Sequence, residues 1–206
     1  MKLLAISDLA SPLLYTPHLK KHFLDIKLLI SCGDLPFEYY EYLVSSLDAP
    51  FFYVLGNHDQ AISNSNFASQ YSIAGGTNLH GKSVICNGLI LAGVEGSLKY
   101  REGPFQYSQS EMWINVINLI PKLLINRIRF GRYLDIFISH APPAGIHDKS
   151  DLPHQGIIAF RWLIEKFQPR LHLHGHIHVY RPDEKVVTLV GKTRVVNVYG
   201  YQEIDI

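Results

Sequence analysis

The chain has 206 residues, 47% of them hydrophobic, with 19 lysines and arginines against 18 aspartates and glutamates. That length suits one large domain with a sizeable core, so residues 1–206 are read as a single domain. The net charge of +1 argues against strong non-specific binding to nucleic acid or to acidic membrane surfaces, so an anionic substrate has to be held by a local site. The first residues, MKLLAISD, are too short a hydrophobic run for a signal peptide and contain a carboxylate. No later segment approaches 18 uninterrupted apolar residues. These features predict a cytoplasmic chain with no membrane partner, in which Cys32 and Cys86 remain free thiols.

In chain order, strand-like and helix-like runs alternate: KLLAIS, PHLKKHFLDI, KLLISCG, FEYYEYLVSSL and FFYVLG. Such alternation predicts crossover connections and a largely parallel sheet. Thr16 is placed to cap the first helix, with Pro17 at its first position. SVICNGLILAGVEG reads as a strand pair turning at Asn87-Gly88. SQSE at 108–111 has capping-box spacing and opens a long amphipathic segment, EMWINVINLIPKLLINRI, which Pro121 should kink or split. Its basic end, NRIRFGR, reads as solvated. YLDIFISH follows, then the loop APPAGIHDKSDLPHQG, the helix IIAFRWLIEKF and the strand RLHLHG. The last segment, KVVTLVG with TRVVNVYG, predicts a hairpin around Gly191-Lys192, so the parallel sheet gains antiparallel members.

Strand after strand ends in the same kind of residue. Asp8, Asp34, the triplet Asn57-His58-Asp59, His140, and the pair His176 and His178 each follow a predicted strand. The carboxyl ends of strands in an open α/β sheet form the edge where ligands collect. Oxygen and nitrogen donors without a thiolate suit Mn²⁺, Fe²⁺ or Zn²⁺ in a catalytic rather than a structural site. The glycines before Asp34, Asn57 and His176 leave room for sharp turns and close approach. His18 and His22 carry no accompanying carboxylates and read as structural. His172 and His174 alternate with leucines and read mainly as packing.

GD at 33–34, GNHD at 56–59, the His of SHAPP at 139–143 and GHIH at 175–178 occur together and in this order. The combination resembles the calcineurin-like metallophosphoesterase family over nearly the whole chain. The resemblance implies an α/β four-layer sandwich, two mixed β-sheets flanked by α-helices, and a dinuclear centre that hydrolyses phosphate esters. It implies that Asp34 bridges two divalent ions, that Asn57, His140 and His176 complete one site, and that Asp8 and His178 belong to the other. His58 is then the proton donor to the leaving group, oriented by Asp59.

At position 10 the sequence departs from the family, whose first motif is Asp-x-His; here Ala10 stands in the place of that ligand. One or two ions per chain are therefore expected, with one site weakened, and Mn²⁺ tolerates such a gap better than Zn²⁺. Ser11 or a water could fill the gap, or His147 or His154 from the Pro/Gly loop could replace the ligand. The expected function is a metal-dependent phosphoesterase, a phosphodiesterase by preference because no extra basic pocket for a dianionic monoester is evident. Its partner would be a small phosphate ester, contacted by His147, Asp148 or His154. The alternative is a binding or scaffold protein on the same fold. A nuclease is disfavoured by the lack of a basic stripe.

Overall fold

The computed structural model describes residues 1–59, 72–181 and 183–206. In chain order the elements are β1 (Lys2–Ser7), α1 (Leu19–His22), β2 (Ile26–Ser31), α2 (Phe37–Ser46), β3 (Phe51–Tyr53) and β4 (Gly76–Asn78). Next come β5 (Ser83–Cys86), β6 (Leu89–Val94), β7 (Ser97–Leu98), β8 (Gln106–Tyr107), α3 (Gln109–Phe130) and β9 (Ile136–Ser139). A 3-10 turn (Leu152–His154), α4 (Ile158–Phe167), β10 (Leu171–His174), β11 (Val187–Val190), β12 (Thr193–Asn197) and β13 (Gly200–Asp205) complete the described elements.

The strands form two mixed sheets, in the orders β13-β1-β2-β3-β4 and β11-β12-β10-β9-β6-β5, and a small β7-β8 ladder. In the first sheet β1 to β4 run parallel, with β13 antiparallel to β1. In the second, β6, β9, β10 and β12 run parallel, while β5 and β11 pair antiparallel with β6 and β12. The antiparallel pairs turn at Asn87-Gly88 and at Gly191-Lys192, where the sequence places them.

Strand periodicity explains the layering. On β1, Leu3 and Ala5 face a core shared with Ile136, Ile138, Leu171 and Leu173 of the second sheet, while Leu4 and Ile6 face Tyr39, Tyr40 and Leu43 of α2. The outer face of the second sheet, through Ala92 and Phe137, packs on Met112, Val116 and Leu119 of α3 and on Phe160 and Leu163 of α4. Four layers result: helices, sheet, sheet, helices.

Two helix expectations are corrected. The first helix is a single turn whose N-cap is His18, and Thr16 merely accepts a backbone hydrogen bond from His18 at 3.4 Å. One turn fixes backbone dihedrals for very few hydrogen bonds, and only Leu19 of it is buried, so little packing extends it. Pro121 does not split the long helix, which runs unbroken for 22 residues. Pro121 and Ile117, four residues earlier, both lie on the exposed face, where water can take the carbonyl that Pro121 leaves without a donor. Both ends of α3 are sealed, by a Ser108–Glu111 capping box and by Gly131 in the left-handed conformation.

Candidate metal centre

The parallel strands of both sheets release their chains towards one edge, and the predicted residues gather there. Asp8, Asp34 and His176 all have positive φ, at 61°, 59° and 68°. Such backbone costs about 1–3 kcal/mol per residue and persists where the surroundings over-determine it, commonly at functional sites. Two glycines make the close approach possible. A Cβ on Gly56 would lie 2.1 Å from Asp34 Oδ1, and one on Gly175 would lie 1.9 Å from Ser7 Oγ and 2.4 Å from Asp8 Oδ2.

His140, fully buried, is the hub. Its Nδ1–H donates to the Cys32 carbonyl at 2.7 Å, so in the neutral ring Nε2 carries a bare lone pair. That atom lies 3.2 Å from Asp34 Oδ2, 3.0 Å from Asn57 Oδ1 and 3.1 Å from His176 Nδ1. His176 is fixed in the same way, its Nε2–H donating to the Pro153 carbonyl at 2.7 Å. Asn57 donates through Nδ2 to the Tyr100 hydroxyl at 3.2 Å, which turns its oxygen inward. Four lone-pair atoms therefore converge, each held by a bond made at its residue's other end, as in metal sites whose ligands are oriented by an outer shell. Single ligand atoms of Asp34, His140 and His176 all lie within 4.8 Å of one another. Something positive has to sit among them, and the donor set fits a divalent cation.

In the protein alone a proton takes that place. Burial opposes the charge on His140, but Asp34, with Asp8 and the Cys32 carbonyl, outweighs it and raises its pKa to about 9. Burial likewise opposes the charge on Asp34, yet His140 and the His58 backbone N–H hold its pKa down at about 2. His176 is kept neutral, with a pKa of about 3, by burial and by the neighbouring His140.

The Asp8 side is looser. The Asp8 carboxylate is buried and accepts from the His176 backbone N–H at 2.9 Å; burial raises its pKa, partly offset by His140. His178 Nε2 stands 3.9 Å from Asp8 Oδ1, on a side chain 43% exposed, and its Nδ1 lies 3.0 Å from the Tyr180 hydroxyl. Ala10 contributes only a methyl, packed against the core beneath α2. Ser11 is buried, and its carbonyl accepts from Leu14 N and from the Tyr39 hydroxyl. His147 is committed elsewhere, 2.9 Å from His174 Nε2 and 2.9 Å from Thr188 Oγ1. His154 does come near, its ring 5.4 Å from that of His176, but beside His176 and hydrogen-bonded to Asp151.

His58 is exposed at the mouth, its backbone N–H donating to Asp34 Oδ1 at 2.8 Å. Asp59 is placed differently from the expectation that it orients His58. Its Oδ2 accepts from the backbone N–H groups of Gly56 and Asp34, at 2.6 and 3.0 Å, so it braces the two metal-side turns. Burial, and then Asp34, raise its pKa to about 7. The His58 ring instead meets Arg101, whose Nη2 lies 3.3 Å from Nδ1. Tyr100 and Arg101 stand in a loop that carries no motif; their signal in the sequence is a Tyr-Arg pair just after a short strand.

Asp148 Oδ2 accepts from Gly145 N and Gly156 N and so ties the Pro/Gly loop together. His172 and His174 lie inside the second sheet, with Ser139 Oγ 2.8 Å from His172 Nε2. A cleft of about 390 Å³, lined by Asp34, Leu35, Pro36, Phe37, Glu38, His58 and Asp59, opens onto the centre. An apolar cleft of about 340 Å³, lined by Ala10, Pro12, Tyr15 and Tyr39, shares Pro36 and Glu38 with it.

The family profile described as calcineurin-like phosphoesterase matches residues 1–180. The chain belongs to the calcineurin-like phosphoesterase family. Among solved structures, one superposes with a TM-score of 0.68 at 17% identity, over 99% of this chain and 94% of the other. TT1561 of Thermus thermophilus gives 0.62 at 18% identity, over 97% and 89%. GAP50, the anchor in the inner membrane complex of Plasmodium, gives 0.54 at 14%, over 97% and 71%. At these identities the likeness is one of fold. No curated protein sequence matches the chain. Among the described residues no helix is long and apolar enough to cross a membrane.

Proposed function

We propose that this phosphoesterase-family chain hydrolyses small phosphodiesters with divalent cations, Mn²⁺ by preference. Asp34, Asn57, His140 and His176 would hold one cation, and Asp34, Asp8 and His178 a second more weakly. The observation that carries the reading is the convergence of four oriented lone-pair atoms from four residues on one point. Divalent ions there would polarise the phosphoryl oxygens and make water acidic enough to act as nucleophile near neutral pH.

The chain's own groups supply the rest. His58, exposed at the mouth and anchored by its backbone to Asp34, protonates the leaving oxygen. Arg101, beside His58, contributes positive charge to a non-bridging phosphoryl oxygen. Arg101 places a basic group beside the site, so the expected absence of one does not support the preference for diesters. The preference rests instead on the two adjoining clefts: Glu38 at their junction disfavours a dianion, and the apolar cleft gives the second ester substituent a place that a monoester would leave empty.

A second reading, a binding protein with little turnover, is favoured by Ala10 and by the exposed His178. The test is Mn²⁺-dependent hydrolysis of bis(p-nitrophenyl) phosphate beside p-nitrophenyl phosphate, with Asp34→Asn and His58→Ala as controls. Metal-dependent turnover that falls in both variants and favours the diester supports the enzyme. Turnover no higher than in the variants, with Mn²⁺, Fe²⁺ or Zn²⁺, supports the binding protein.

A further inference from the structure

α3 carries two apolar seams where one would suffice. Met112, Val116, Leu119 and Leu123, with Asn126 below them, are buried against the second sheet. On the opposite side, Ile114, Ile117, Pro121, Leu124 and Ile128 follow the 3-4-3-4 spacing of a coiled-coil seam, with Ile125 beside them. These outer aliphatic side chains are between 48% and 85% exposed, and Pro121 is exposed with them. A helix that is apolar on opposite faces is normally buried on both. An exposed apolar patch of this kind on a folded chain marks an interaction surface.

We propose that the outer seam pairs with the same seam of a second copy, antiparallel about a two-fold axis at Pro121. In that arrangement Ile114 of each copy meets Ile128 of the other, Ile117 meets Ile125, Pro121 meets its own copy, and Leu124 lies against Asn118. The charges agree with it. Glu111 stands at the amino end of the helix, and its hydrogen bonds to Ser108 favour the ionised form, while Arg127 and Arg129 stand at the carboxyl end. Antiparallel pairing sets each acidic end against a basic end and opposes the helix dipoles; parallel pairing sets like against like.

The area limits the strength. A 22-residue helix is about 33 Å long and roughly 10–12 Å across, so the pair covers on the order of 700–800 Å² in total. Stable interfaces bury about 1,200–2,000 Å², so this is a weak, reversible dimer rather than a permanent one. The inference is independent of catalysis.

Sedimentation equilibrium of the full chain from about 1 to about 300 μM should show the mass rising from one chain towards two. Ile117→Glu/Leu124→Glu, both exposed sites, should stay monomeric with unchanged circular dichroism. In a Cys86→Ser background, Pro121→Cys should cross-link to itself on oxidation, whereas Ile114→Cys should not, because parallel pairing alone brings residue 114 to its own copy. A monomer throughout the range overturns the proposal. So does a dimer that survives the double glutamate variant, or one in which Ile114→Cys cross-links as well as Pro121→Cys. Seam-dependent binding of the monomer to phosphatidylcholine vesicles would overturn it in favour of a lipid surface.

Discussion

Around His140 each ligand-type atom is aimed by a bond at the far end of its residue: His140 by the Cys32 carbonyl, His176 by the Pro153 carbonyl, Asn57 by the Tyr100 hydroxyl. Around Asp8 the arrangement differs. His178 is 43% exposed and 3.9 Å from the carboxylate it would share an ion with, and the family's third ligand is Ala10. Both halves draw on the same strand edge and the same residue types. The difference shows that ligand identity alone does not make a site: the bonds that aim His140, His176 and Asn57 lie within the fold, whereas His178 is aimed only by the hydroxyl of the exposed Tyr180.

Four expected outcomes test that contrast. Asp34→Asn removes the carboxylate common to both halves and should lower diesterase kcat/KM by about 10³-fold or more, a loss of several kcal/mol of charge stabilisation. Steady-state kinetics checks it, and a loss below tenfold would show that Asp34 is not shared.

Ala10→His should act on the loose half alone, tightening the weaker Mn²⁺ site by roughly 10–100-fold, on the order of one added ligand with its support. Calorimetric titration reads this directly; tightening of the stronger site instead would reverse the assignment of the halves.

The proton on His140 gives the third. With its pKa raised to about 9 by Asp34 and Asp8 against the cost of burial, the metal-free chain holds that proton at pH 7. A cation has to displace it, so the tight site should release close to one proton and its affinity should rise with pH until about pH 9. Titration in buffers of different ionisation enthalpy counts the proton, and none released would mean that the cation binds elsewhere.

Tyr100→Phe is the mildest change. It frees the Asn57 amide to turn and should weaken the tight site by about tenfold with the fold unchanged. Equal affinity in wild type and variant would show that the Tyr100 bond does not set the amide.

Much of this was legible in the chain itself. The strand-ending acids and histidines, with the glycines beside them, lie where period-two strands and parallel connections put them, and the order of the four motifs carries the family. Roles were harder to read than positions. Asp59 follows His58 directly, yet its carboxylate points back to the turn backbone, a direction that spacing alone does not encode. Tyr100 and Arg101 reach the centre from a loop, through contacts 43 residues apart in sequence. α1 is shorter than its apolar spacing predicts because that spacing is not matched by burial. The long segment opening at Glu111 carries apolar residues on opposite sides of one unbroken helix, and the packing of α3 on the sheet decides which side is covered.

Titration of the metal-free chain with Mn²⁺, followed by electron paramagnetic resonance and calorimetry, separates the two halves directly. One tight ion per chain is expected, lost in His140→Ala, with a second at least about tenfold weaker. Two equally tight ions, or a tight ion that survives His140→Ala, would contradict that expectation.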